Sequence, residues 1–193
     1  MKKGYSYDIA KYIKIDIEPY ALEYLQSNLL KNPYIIYDIS KKENMEKLVS
    51  LVEKRLPLEK MKGSPTDKIN FKYEEFTVLD VAVRSLENFE GTGKNLIICA
   101  LNSPYVNVRY GGTNTLQKWK DTGYIFPNEI IENIKNLEKI EVDTDLKERV
   151  YRFIDSYTKD WISTITFDTG ETYELEEALK KFREIMGLSK EEK

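Results

Sequence analysis

The residues with the most chemical promise lie in Arg109-Tyr110-Gly111-Gly112-Thr113-Asn114. Paired glycines allow close backbone approach, a helix N-terminus offers free N–H groups with positive potential, and an arginine can grip an anion bidentately. Read this way, Val106, Val108 and Tyr110 alternate along a half-exposed strand. Gly111-Gly112 stops it, and Thr113 or Asn114 caps a short helix containing Leu116 and Trp119. Arg109, Gly111, Gly112, Thr113 and Asn114 are the candidate ligand-binding residues. Their ligand would be a phosphate, a carboxylate or a nucleotide, with Lys118 and Lys120 near in sequence. The plainer alternative is a strand-to-helix connection with an exposed arginine.

Other clusters carry less. Asp143, Asp145 and Glu148 bring three carboxylates together, enough in principle for Mg²⁺ with waters. Acidic residues at a helix start are, however, what capping and the helix dipole favour, so no metal site is assigned. Glu90-Gly91-Thr92-Gly93-Lys94 has the wrong glycine spacing for a phosphate loop, and Asn95 follows its lysine, so it reads as a turn. Cys99, the sole cysteine, sits among Ile97, Ile98, Ala100 and Leu101, where a thiol packs as a small hydrophobe.

Histidine is absent. That removes Ser-His-Asp and Cys-His catalysis and histidine zinc sites, leaving carboxylates, Lys, Arg, Tyr or a hard metal for any chemistry. No catalytic residue and no cofactor is assigned. A net charge of −3 disfavours broad nucleic-acid binding, which rests on phosphate neutralisation. The apolar stretches are too short to span a membrane, and Gly4-Tyr5-Ser6-Tyr7-Asp8-Ile9 supplies no signal-peptide core. With one cysteine, the expected compartment is the cytoplasm. Fourteen tyrosines and two tryptophans suit a protein interface. The leading expectation is a non-catalytic binding or adaptor domain that contacts a protein partner or itself. The alternative is a phosphate- or nucleotide-binding domain, conceivably a Mg²⁺-dependent enzyme, built on Arg109 and the Gly111–Asn114 connection.

The elements that would position these residues alternate irregularly. Helical spacing marks Leu22–Lys31, Met45–Val52 (behind a Ser40…Glu43 capping box), Phe76–Leu86, Ile130–Leu137, Leu146–Tyr157 and Ala178–Ile185, the last ended by Gly187. Residues 1–17 read as a strand or an ordered arm, and Tyr34–Ile39, Ile69–Tyr73 and Leu96–Leu101 as strands, the last in the knowledge that a short apolar run can equally be buried helix. Trp161–Phe167 and Glu171–Leu175 form a hairpin around Asp168-Thr169-Gly170. The expectation is one globular α+β domain over residues 1–193. It has a mainly antiparallel sheet with two hairpins and five to six packed helices, a flexible surface loop at 57–68 and a frayed tail at 189–193.

Overall fold

The two longest apolar alternations in the middle of the chain fold as helices. The computed structural model describes residues 16–70 and 72–169, and among these it contains no strand. The expected α+β domain with an antiparallel sheet is therefore corrected to an all-helical one. Its helices are α1 (Glu18–Asn28), α2 (Lys42–Arg55), α3 (Glu74–Ser85), α4 (Lys94–Leu101), α5 (Val106–Asp121), α6 (Asn128–Ile140) and α7 (Thr144–Thr169). Three 3₁₀ turns join them, at Pro33–Asp38, Leu58–Met61 and Leu86–Asn88. Among the described residues, no helix is long and apolar enough to cross a membrane.

α4 explains the first misreading. All six residues of Leu96–Leu101 are buried, because α3, α5 and α6 all pack around this helix. A helix buried on every side loses the polar face that would reveal its 3.6-residue period. It starts at Gly93, whose positive φ of 72° suits glycine, and whose Cβ would stand 2.7 Å from Leu86 Cδ1.

α5 explains the second. Its buried positions include Val106, Val108, Arg109, Gly111, Gly112, Thr115, Leu116 and Trp119, more than one stripe, since α3 and α4 both lie against it. The two glycines sit inside the helix and do not stop it. Each costs about 1 kcal/mol relative to alanine in propensity. What they gain is approach: a Cβ on Gly111 would lie 2.7 Å from Asp80 Oδ1, and one on Gly112 3.3 Å from Ala100 Cβ. The helix ends where Gly123 adopts φ 83° and the Tyr124 N–H donates to the Trp119 carbonyl at 3.0 Å.

Elsewhere, Tyr34–Ile39 is mostly 3₁₀ helix and not strand. Three residues per turn place Pro33, Ile36 and Ile39 in one buried row. The Ser40…Glu43 box does not form; Glu18 of α1 takes its place. The buried Glu18 carboxylate accepts the Ser40 and Lys41 N–H groups at 3.2 Å each, the Ser40 hydroxyl, and Asn44 Nδ2 at 2.7 Å. The segment 57–68, expected as a flexible loop, carries the Leu58–Met61 turn and then a bonded strap. Gly63 and Thr66 donate N–H groups to the carbonyls of Asn102 and Pro104 at 2.9 and 3.0 Å, and Val106 donates to Lys68 at 3.0 Å. Ile69 and Asn70 follow without a ladder.

α7 runs unbroken to Thr169, through the Trp161–Phe167 strand and into the turn expected there. The Glu171–Leu175 return strand, the last helix with Gly187, the 189–193 tail, residues 1–15 and Phe71 lie outside the described residues. Leu22 and Ile154 are only partly buried and Leu30 is exposed, but the helices that follow their spacing otherwise bury the expected rows. These are Leu25 and Leu29; Met45, Leu48, Val49 and Val52; Ile130, Ile131, Ile134 and Leu137; and Leu146, Val150, Phe153 and Tyr157.

Candidate functional site

Arg109 lies in the first turn of α5 and points inward. Its side chain has no exposed surface, and neither has that of Glu141, at the end of α6. Nε and Nη2 grip the two carboxylate oxygens of Glu141 at 2.6 Å each. Nη1 donates to the Ser103 carbonyl at 3.0 Å and Nη2 to the Thr66 carbonyl at 2.8 Å. Glu141 Oε1 accepts in addition the N–H groups of Val142 and Asp143, at 2.9 and 3.0 Å. The arginine does bind an anion bidentately, and that anion is a carboxylate of the same chain. Three segments are joined there: the strap, the α4–α5 connection and the α6–α7 connection.

The other expected ligand residues diverge around α5. Gly111 faces Asp80 and Arg84 of α3, and Gly112 faces Ala100 and Leu101 of α4. The Thr113 hydroxyl is buried and donates to the Arg109 carbonyl at 2.6 Å, a bond within its own helix. Asn114 reaches α7, where its side-chain oxygen accepts from Arg149. The helix N-terminus that the phosphate reading needs begins at Val106, ahead of all five residues. They do not converge on a solvent-facing point.

The acidic group at the α6–α7 connection caps its helix. Asp143 Oδ1 accepts the Leu146 N–H at 2.8 Å, which satisfies one of the free donors at the start of α7. Tyr110 also donates its hydroxyl to that oxygen at 3.3 Å, and the Arg149 guanidinium lies 5.6 Å from the Tyr110 ring centre.

Cys99 is fully buried in α4, its thiol 3.4 Å from the Leu58 carbonyl, and burial pushes the thiol up to about 11. At pH 8 it stays protonated and enclosed. A disulfide reagent at that pH should therefore titrate no thiol in native protein and one in urea; rapid native labelling would contradict this placement.

A surface that the spacing did not reveal lies where the strap enters α3. Tyr73, Phe76 and Tyr105 form a mutually packed set of rings. Their centroids are 6.4 Å apart for Tyr73–Phe76, 6.1 Å for Tyr73–Tyr105 and 4.7 Å for Phe76–Tyr105. Tyr73 is 47% exposed, Phe76 and Tyr105 are half-buried, and Ile69 in the same segment is 50% exposed. Asn70 holds this segment in place. Its Oδ1 accepts the Tyr73 N–H at 2.9 Å, its Nδ2 donates to the Tyr73 carbonyl at 2.8 Å, and its own N–H donates to Asn107 Oδ1 at 2.8 Å. The rings therefore stand on fixed backbone. Exposed Asp67, Lys68, Lys72 and Glu74 flank the ring residues in sequence, with Lys72 Nζ 5.8 Å from the Tyr73 ring centre.

Comparison of the chain with protein-family models, with curated proteins and with solved structures gave no match.

Proposed function

We propose that this chain is a non-catalytic binding domain that acts by protein–protein contact, with Ile69, Tyr73, Phe76 and Tyr105 as its contact surface. The observation that carries the reading is the pre-positioned ring cluster, with Tyr73 exposed and Phe76 and Tyr105 half-buried beside it. Packed aromatic rings bring large contact area with few rotors to immobilise, which is why such residues anchor interfaces. The occupant we infer is an apolar segment of a partner protein. The flanking residues carry both signs of charge (Asp67 and Glu74 against Lys68 and Lys72), as protein interfaces do, whereas nucleic acid or an acidic membrane would call for basic ones. The single cysteine, held as a core thiol, supports cytoplasmic residence as part of the same proposal. The phosphate-binding alternative would require N–H groups that Arg109 already gives to Glu141, Ser103 and Thr66.

The test replaces Ile69 and Tyr73 together by aspartate. A photo-crosslinker at position 73 identifies the partner, which is then purified and titrated, while sedimentation velocity follows self-association. The double variant should bind at least about tenfold more weakly, a loss of about 1.4 kcal/mol, with its thermal midpoint unchanged. Undiminished affinity, whether for a partner or for a second copy, would sink the reading.

A further inference from the structure

The C-terminal end of α3 and the Pro33–Asp38 turn enclose a hollow of about 530 Å³, bordered by Tyr37, Ile39, Ser40, Arg84, Glu87 and Phe89 among others. Among the described residues that line it, the cation is Arg84, and it is already matched. Arg84 Nε donates to Asp80 Oδ1 at 2.8 Å and Nη2 to the Asn107 carbonyl at 3.1 Å, while Asn107 Nδ2 lies 3.4 Å from Asp80 Oδ2. Burial pushes the Asp80 carboxyl up from its ordinary value, and the Arg84 charge and hydrogen bond oppose that rise.

Glu87 has no such match. It stands three residues after Arg84, a spacing at which the two side chains could pair on a helical surface. Arg84 turns instead to Asp80, and among the described residues Glu87 makes no hydrogen bond or ion pair. It is half-buried just beyond the C-terminus of α3, where the helix carbonyls already make the potential negative. With no hydrogen bond or ion pair of its own among the described residues, the Glu87 carboxylate leaves both oxygens open to a cation in the hollow. Two rings border the same hollow, Tyr37 (52% exposed) and the half-buried Phe89. Tyr34 (62% exposed) precedes Tyr37 by one 3₁₀ turn and so shares its side of the turn. Aromatic rings and a carboxylate lining one hollow are the groups that hold organic cations.

We propose that this hollow binds a guanidinium or ammonium group, with Glu87 as the counter-ion and Tyr37 and Phe89 as ring contacts. The group arrives either as a free small cation or as an Arg or Lys side chain of a protein. None of these residues belongs to the ring cluster at Tyr73, so the two results are separable.

The experiment titrates isotope-labelled full-length protein, followed by amide NMR, with methylguanidinium, tetramethylammonium, a capped Gly-Arg-Gly peptide and acetate. The cations should give saturable shifts at Tyr37, Glu87 and Phe89, and acetate none. Glu87→Gln keeps the shape and should weaken cation binding at least about tenfold with an unchanged thermal midpoint. Tyr37→Leu should weaken tetramethylammonium while leaving the carboxylate in place. Peptide binding at least about tenfold tighter than methylguanidinium would identify a protein side chain as the source, and equal affinity a free cation. Saturable shifts with acetate instead, no saturation by any cation, or an unaltered titration of Glu87→Gln would overturn the proposal.

Discussion

Replacing Arg109 by alanine should lower folding stability by about 3–5 kcal/mol, the range for removing one partner of a buried ion pair. The loss comes from what is left behind. Glu141 would keep a charge with no exposed surface to solvate it, and the carbonyls of Ser103 and Thr66 would each lose a donor. Against a total stability of about 5–15 kcal/mol for a domain, this is a large fraction. Lysine is no substitute, because a point-like ammonium cannot reproduce a two-pronged grip on Glu141 plus two carbonyl contacts. The pair itself is a different quantity from the cost of breaking it. Arg109→Met with Glu141→Leu removes both desolvation penalties, and such exchanges are often neutral. Here the double variant should recover only part of the loss, because the Val142 and Asp143 N–H groups lose their acceptor and two carbonyls stay without a donor. Urea unfolding of all four proteins in the cycle measures each term. An Arg109→Ala protein within about 1 kcal/mol of wild type would refute the buried pair as a structural tie.

Trp119→Ala is expected to cost a similar amount, about 3–5 kcal/mol, by a different route. Trp119 is fully buried on α5 and packs edge-on to Tyr124 with ring centres 5.5 Å apart. Its Nε1 donates to the Leu86 carbonyl at 2.8 Å, where α3 gives way to its terminal 3₁₀ turn. Alanine therefore leaves a cavity and takes one of two donors from the Leu86 carbonyl, which keeps the Phe89 N–H at 2.9 Å. Trp119→Phe separates them, since it fills most of the space and loses the bond. It should cost less than half as much as the alanine variant, with about 1 kcal/mol of the loss due to the missing bond. The check is the urea midpoint at constant slope; equal losses for Phe and Ala would show that the bond, and not the packing, dominates.

Legibility in the sequence followed solvent exposure. α1, α2, α3, α6 and the first half of α7 each keep a wet face, so their apolar rows recur at three and four residues and could be read directly. α4 has no wet face along Leu96–Leu101, and α5 has partners on two sides, so the first showed no period and the second a false one of two. Glycines 111 and 112 compounded this. As local chemistry they stop a strand; as packing residues they let α3 and α4 close on α5, and only the neighbouring helices reveal which applies. In the Trp161–Phe167 region, β-branched residues pointed to a strand, and helix continuation overrode that preference. Arg109 was singled out for an external anion, and in the fold its guanidinium is taken up by a carboxylate of the same chain. Its anion, Glu141, lies 32 residues further on, and nothing local ties the two. The ring cluster had the same obstacle, since Tyr105 joins Tyr73 and Phe76 only through the strap.

The Arg109–Glu141 tie also restricts how this chain can diverge over time. A change at either position alone passes through a form carrying a solitary buried charge, so the two sites can drift only as a couple. Gly111 and Gly112 are held beside them for a separate steric reason. An Arg-x-Gly-Gly-Thr run with a glutamate 32 residues after the arginine is therefore the trace that descent should erase last.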